Sequence, residues 1–464
     1  MASAAAVETT APWIAELERR VRERSRASSS NSEPAEIRTL RERASERFGE
    51  LGFPTQREEA WRFTNVAPIA RTEWAPAAPP AAASPALDAA LAPYVFPAAA
   101  TLVFVDGRFA PRLSRTAGLG EGPGEGVIAT PLSEALERHP EKVLPHLGRH
   151  AGFGQASFVA LNTALFEDGV FLWLPRGAVV ERPIHLIFAM GGAAAADGRP
   201  AVTFPRNLVV VGENAQATLV ETYVGLAPEE PVYFTCPVTE LAAGPGSVVD
   251  HYKVQRESRA AFHVATFELV QDRSSQLSSH SISLGGALVR NDVNALLDGE
   301  GSDTILNGLY MIGGRQFVDN HMRVEHAKAH CTSHELYKGV LEGKARSIFN
   351  GLIHVRHGAQ KTDAKQSNRN LLLSPDAVAN SNPQLEIFAD DVRCTHGSTV
   401  GQLDDDAVFY LRSRGIGAEA ARSLLTYAFA SDIVERIKVE PVRRDLEEFL
   451  FTRLPKGEIV RQAV

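Results

Sequence analysis

The sequence predicts a mainly β protein whose core is a parallel β-helix flanked by helical segments at both ends. From about Ala156 to Val400, short apolar or alternating runs of four to seven residues recur. They are rich in β-branched residues and divided by Gly, Asn, Asp and Pro, the pattern of many short strands. A sandwich, a propeller and a solenoid all fit short strands. The absence of a strict repeat at a fixed period speaks against a regular propeller. Nearly 250 residues with small polar turns and no convincing interior helix suit an irregular β-helix better than one Greek-key sandwich.

The elements divide the chain into four stretches. Residues 1–74 form an N-terminal helical region: "PWIAELERRVRERS" and "PAEIRTLRERASERFGELG" are rich in Glu, Arg, Leu and Ala, and Gly52 is placed as a C-cap. The polar "SRASSSNSEP" breaks the two. Residues 75–155 are a linker and connecting segment, Ala/Pro-rich from Ala75 to Ala100 and glycine-rich in "GLGEGPGEG" (118–126). Residues 156–400 are the strand region. Residues 401–464 return to helix. "DDDAVFYLRSRG" (404–415) opens with acidic residues that favour a helix N-terminus. In 417–438, Leu424, Tyr427, Ala428, Val434 and Ile437 fall at helical spacing, with Leu425 and Phe429 broadening the stripe. Pro441 opens a last amphipathic helix.

Composition bounds the function. With 44% hydrophobic and 22% charged residues the chain is a globular protein, and a net charge of −8 gives no electrostatic footprint for nucleic acid. No apolar run approaches the roughly 20 residues that cross a bilayer. The start, "MASAAAVETTAPW", lacks the basic and apolar regions of a secretory signal, so a cytoplasmic location is expected. Three scattered cysteines (Cys236, Cys331, Cys394) do not make a disulfide framework.

Several enzyme signatures fail. "GVLEGKA" (339–345) is one residue short of a phosphate loop and has Ala345 where Ser or Thr would hold Mg²⁺. "HAKAH" (326–330) lacks the zincin glutamate, and no GxSxG elbow exists. ATP hydrolysis would have to come from another chain. His321, His326, His330 and His334 crowd around Cys331. Strand alternation, with Met322 and Val324 on the other face, makes His321, Arg323 and Glu325 the polar face of a strand rather than a converging ligand set. "DDVRCTHGSTV" (390–400) is sharper. Residues i and i+2 of a strand share a face about 6.6 Å apart, so Cys394 and His396 can both reach one metal ion. Two ligands are half a tetrahedral site, and a second chain would supply the rest. The competing assignment makes Cys394 a small buried hydrophobe and His396 a strand-end residue.

"REEAWRFTN" (57–65), the run from "HELYKGVLEGKARSIFNG" through "DDVRCTHGSTVGQLDDDAVFYLRSRGI", and "LLTYAFASDIVERI" resemble the SufB/SufD family of the Suf iron–sulfur cluster assembly machinery. The likeness is dense from about Asp319 to Ile437. Within the family the chain is similar to SufD. SufB has a sulfur-receiving cysteine in the segment matching Asp376–Ile387, where this chain reads "DAVANSNPQLEI", and His-Glu where this chain has His396-Gly397.

The resemblance implies a right-handed parallel β-helix between two helical domains and a non-enzymatic role. It implies pairing with SufB through the C-terminal end of the β-helix, with a homodimer when alone, and docking of the ABC-type ATPase SufC. The docking region would include Leu424, Tyr427, Phe429, Glu435 and Arg436. It further implies iron or a transient iron–sulfur cluster at the SufB interface, with His396 the first candidate ligand and Cys394 the second; a reduced flavin on the complex stays open. The alternative is a β-helix carbohydrate-active enzyme using Asp390 and Asp391, which requires sugar-stacking aromatics beside paired acids in a groove.

Overall fold

The computed structural model describes residues 12–27, 33–77, 85–116, 126–191, 194–195 and 197–463. Most of the two predicted breaks (28–32 and 117–125), and 78–84 of the Ala/Pro stretch, lie outside them. The expected class is borne out: a parallel β-solenoid of about seven turns carries helices at both ends. Successive strands alternate between two sheets. One sheet runs from Val170–Leu174 through Arg206–Val211, Val238–Ala243, Phe262–Gln271, Leu288–Leu297, Phe317–His326 and Arg346–Val355 to Val378–Ile387. The other runs from Ile184–Met190 through Gln216–Gly225, Val248–Arg256, Gln276–Ser283, Asp303–Ile312, Thr332–Leu341 and Asp363–Leu372 to Arg393–Gly401. Within 75–155, Ala100–Val105 forms a fully buried strand paired with Ile184–Met190.

The turns entering the six inner strands of the second sheet, Gln216–Gly225 to Asp363–Leu372, repeat one device. Asn214, Gly246, Ser274, Gly301, His330 and Lys361, each two residues ahead of a strand, all have positive φ, between 56° and 72°. Each donates its backbone N–H to a carbonyl of the next turn: Ser274 to Glu300, Gly301 to Ala329, His330 to Gln360, Lys361 to Asp391. The following residue is small and buried: Ala215, Ser247, Ser275, Ser302, Cys331 and Thr362. The ladder thus continues through the corner, and a left-handed residue is the geometric condition for it. His330 and Cys331 of the histidine-rich stretch are members of these two columns. The Cys331 thiol donates to the Gly299 carbonyl at 3.2 Å.

The helices cover the outer faces. Pro12–Ala27, Ala35–Leu51 and Ser157–Leu165 bury Trp13, Ile14, Phe48, Phe158 and Leu161 against Phe171, Leu208, Phe234 and Val264 of the first sheet. Gly52, with φ 64°, ends the second helix and donates to the Phe48 carbonyl, as the sequence predicts. The "REEAWRFTN" motif staples this region to the sheet. Arg290 lies 3.7 Å from the Trp61 ring centroid, donates to the Ala60 carbonyl at 2.8 Å, and shares Asp319 with the Thr64 hydroxyl. The helices Ala418–Val434 and Glu440–Arg453 bury Tyr427, Ile433, Val434, Leu446 and Leu450 against Val220, Tyr252, Ile282 and Leu309 of the second sheet. None of the helices among the described residues is long and apolar enough to cross a membrane.

One ion pair on the outer face of the first sheet, beneath the helix Ser157–Leu165, is completely sealed. Arg206 donates to Glu240 at 2.5 Å, and the backbone N–H groups of Gly148, His150 and Ala151 donate to the same carboxylate. Burial alone would raise the Glu240 pKa. The Arg206 guanidinium and these amides outweigh it and hold the carboxyl below its ordinary range. Removing one partner leaves a buried charge uncompensated, so Glu240→Ala should cost about 3–5 kcal/mol in urea unfolding. Because the folded pKa is depressed, the pair's contribution is present above the ordinary carboxylate pKa and is lost as pH falls through the folded value. Wild type and Glu240→Ala should therefore converge in stability on acidification.

Candidate assembly site at the open end of the solenoid

The two ends of the solenoid are finished differently. At the beginning, antiparallel strands close both sheets: Ile128–Pro131 on Val170–Leu174, and Arg108–Phe109 on Ala100–Val105. At the other end, Val378–Ile387 and Arg393–Gly401 are the outermost strands of their sheets, each paired on one side only. Pro383, which has no N–H to donate, sits in the first of them, a position that suits an edge strand. Val378, Ile387, Phe388 and Val400 are exposed around this end, and Phe409 and Tyr410 stand 69% and 56% exposed on the helix Asp405–Arg412 that follows it. The Asp404 side chain caps that helix by accepting from the Asp406 N–H.

Cys394 and His396 lie on the last strand. Its register places Cys394 over Ala364, His396 over Gln366, Ser398 over Asn368 and Val400 over Asn370. Those four lower residues are all buried on the inner face. Cys394 and His396 therefore share that face, on a last strand that no other strand among the described residues pairs with on its outer side. Their surroundings differ. Half-buried Cys394 packs against the apolar cluster of Ile353, Val355, Ala359, Ala364 and Ala389. Burial pushes its thiol pKa up, the Asp363 carboxylate adds to this, and a backbone hydrogen bond with Ala364 offsets part of it. His396 is exposed. The strand-mate geometry expected from the sequence is thus present, with an apolar setting for the thiol and a free one for the imidazole.

Beneath His396 stand two residues whose part in the site the sequence did not reveal. Gln366 Nε2 donates to Glu335 Oε2 at 3.0 Å, and Glu335 lies directly below Gln366 on the preceding strand. Burial raises the Glu335 pKa to about 8, with the Gln366 hydrogen bond lowering it only in part. On the outer face of the first sheet, His354 Nδ1 lies 3.0 Å from Glu386, and Phe388 packs between His354 and His357. Among the described residues no three His, Cys, Asp or Glu side chains converge to hold a metal ion.

The other sequence candidates are placed as follows. Tyr427 is buried and stacks on Phe451, and Leu424 and Phe429 are partly buried against the same core. The apolar stripe of the helix Ala418–Val434 is therefore largely spent on its own domain, while Glu435 and Arg436 face solvent and Arg436 pairs with Asp432 at 3.0 Å. Asp390 and Asp391 are neighbours on the exposed turn before the last strand, where Asp391 pairs with Lys361.

These observations define a parallel β-solenoid with helices on both outer faces and a Cys-x-His strand at an end paired on one side only. Residues 193–429 match the SUF system FeS cluster assembly SufBD core domain, and residues 21–186 match the SufBD protein N-terminal region. The chain is 33% identical over 433 residues to an iron–sulfur cluster assembly SufBD family protein of Synechocystis, covering 91% of this chain and 92% of that one. It is 32% identical over 406 residues to the iron–sulfur cluster assembly protein SufD of Escherichia coli, covering 88% and 90%. The chain belongs to the SufBD family of iron–sulfur cluster assembly proteins. The expected likeness to SufD is borne out.

The differing environments of the two candidates set a stability test. Cys394→Ser places a hydroxyl against an apolar wall and should cost on the order of 1 kcal/mol, whereas His396→Ala, at an exposed position of the edge strand, should stay within about 0.5 kcal/mol of wild type. Urea titration followed by circular dichroism measures both. The reverse ranking would mean that the imidazole, not the thiol, is packed.

Proposed function

We propose that this chain is a non-enzymatic cytoplasmic subunit of an iron–sulfur assembly complex. It pairs through its open solenoid end with SufB, or with a second copy of itself when alone, and docks the ATPase SufC through its C-terminal helices. Iron or a nascent cluster is the cargo of the seam, with His396 as this chain's first ligand and Cys394 its second. A reduced flavin is assigned no residue in this reading. The observation that carries it is the unpaired last turn: two edge strands, exposed apolar residues around them, and an exposed imidazole on the inward face of one edge. A second solenoid would satisfy the edges and complete a half-site. Free thiols suit a reducing compartment. The carbohydrate-active alternative gains no support from Asp390 and Asp391, adjacent on an exposed turn with Asp391 tied to Lys361.

Co-expression with SufB and SufC homologues, followed by anaerobic reconstitution and iron and sulfide analysis, tests the reading. His396→Ala should leave the complex assembled and lower its cluster yield; wild-type yield would remove the ligand assignment. In the same preparation Glu435→Lys and Arg436→Glu should weaken SufC association while leaving the SufB pairing unchanged. Unaltered SufC retention in both would move the docking surface elsewhere.

A further inference from the structure

We propose that Gln366, held in place by Glu335, is the positioning residue for the His396 imidazole: its amide oxygen takes one ring N–H and leaves the other ring nitrogen facing the cargo. The proposal rests on the reading of His396 as an iron or cluster ligand.

Register, packing and unmet hydrogen-bonding capacity point the same way. Glu335, Gln366 and His396 occupy one column on three successive strands, above apolar Leu306. Neighbouring strands lie about 4.8 Å apart, within reach of a side-chain hydrogen bond from one step to the next. Glu335 and Gln366 are each only 3% exposed. The amide is fixed from two sides: Nε2 donates to Glu335 Oε2, and across the interior the amide lies against Gly351. A Cβ at Gly351 would stand 2.3 Å from Gln366 Nε2 and 2.7 Å from Oε1, so a side chain there would expel the amide. With Nε2 engaged below, Gln366 Oε1 remains buried and unpartnered, one step beneath the exposed imidazole.

A purely structural account fits these facts poorly. Burying a carboxyl with an amide as its hydrogen-bond partner and no cation opposite is less favourable than an apolar pair of the same volume. A carboxyl–amide–imidazole column has a chemical use instead. An acceptor behind a ligating histidine fixes its tautomer and ring orientation, and such supporting contacts change metal affinity by about 10- to 100-fold. Cys394 does not compete for the amide, since it stands over Ala364.

The test uses the full-length chain labelled with ¹⁵N-histidine, with ring-nitrogen correlation spectra recorded near pH 8 and the His396 signals assigned by their loss in His396→Ala. Wild type should show one dominant His396 tautomer. Gln366→Met, which keeps the volume and removes the acceptor, should collapse it to the averaged pattern of an exposed histidine such as His330. Glu335→Gln, which retains an acceptor for the Gln366 amide, should keep the wild-type pattern, and Glu335→Met should lose it. Should Gln366→Met not fold, Gly351→Ala displaces the same amide and must give the same collapse. His396 shifts that stay at wild-type values in the folded Gln366→Met or Gly351→Ala chain overturn the proposal. In the assembled complex Gln366→Met should lower iron affinity by about 10-fold, with Glu335→Gln near wild type. Wild-type cluster yield from His396→Ala, with a tautomer that still follows Gln366, would refute the ligand reading and leave the positioning contact standing.

Discussion

The structure depends on a continuous backbone ladder in which each turn of the solenoid supplies the partners of the next. The constraint is strictest at the corners, where the ladder survives only because one residue per turn enters the left-handed region. Glycine does so freely at Gly246 and Gly301, and Asn214 tolerates it. At His330 and Lys361 the same geometry costs roughly 1–2 kcal/mol, accepted because the N–H released there is bonded to the following turn. A ladder built this way has no internal reason to stop. Its ends need other devices, and this chain uses one only at its beginning, where antiparallel strands close both sheets. The edges of Val378–Ile387 and Arg393–Gly401 are a standing offer of backbone donors and acceptors.

The helical regions answer a different need. Where the outer faces are apolar, as at Leu208 and Val264 of one sheet and Val220 and Leu309 of the other, they must be covered. The N-terminal helices do this for the early turns of the first sheet, the C-terminal helices for the second. Polar contacts fix their placement: Arg290 with Ala60 and Asp319, Arg256 with Asp445, and Lys338 with Asp432 and the Phe429 carbonyl. Sealed pairs such as Arg290–Asp319 gain orientation from their low-dielectric setting, whereas exposed Arg436–Asp432 adds little. The pieces of sequence that carry the family resemblance thus divide by role. "REEAWRFTN" serves the attachment of a helical region, while "CTHG" lies on an edge strand that no further strand among the described residues pairs with.

How much was legible in the sequence follows from the range of the interactions. The helices announced themselves because periodicity, the Gly52 cap and the acidic start at Asp404 are local. The solenoid repeat did not, although the stacked strand starts Leu288, Phe317 and Arg346 are 29 residues apart, because flanking steps of 26 and 32 residues break the period. The corner position also carries Asn, Gly, Ser, Gly, His and Lys in turn, alike in φ and unlike in chemistry. Strand alternation already spoke against a metal cluster around Cys331, but nothing local marked His330 as a corner and Cys331 as its filler. Cys394 and His396 were legible because two strand neighbours share a face whatever the fold. Glu335 and Gln366 were not, because their proximity to His396 exists only once turns about 30 residues long are stacked.

The polar interior near the open end contains its own control for what a structural network looks like. The Tyr310 hydroxyl donates to Asn370 Oδ1 at 2.5 Å, Asn368 Nδ2 donates to the Tyr310 oxygen at 3.1 Å, and Asn370 Nδ2 donates to Asn368 Oδ1 at 2.7 Å. Those three side chains close a ring of hydrogen bonds on themselves, as buried polar groups in a core must. Asn368 and Asn370 share the strand of Gln366, Tyr310 stands two strands earlier in the same sheet, and all three are as sealed from water as the Glu335–Gln366 pair. Yet the Glu335–Gln366 pair does not close: one oxygen on each is left over. The difference lies in what stands above them. Asn368 and Asn370 lie beneath Ser398 and Val400, whereas Gln366 lies beneath the imidazole. An interior that satisfies its polar groups in one column and leaves the Gln366 oxygen open in the next has an acceptor to offer a donor that arrives from the end.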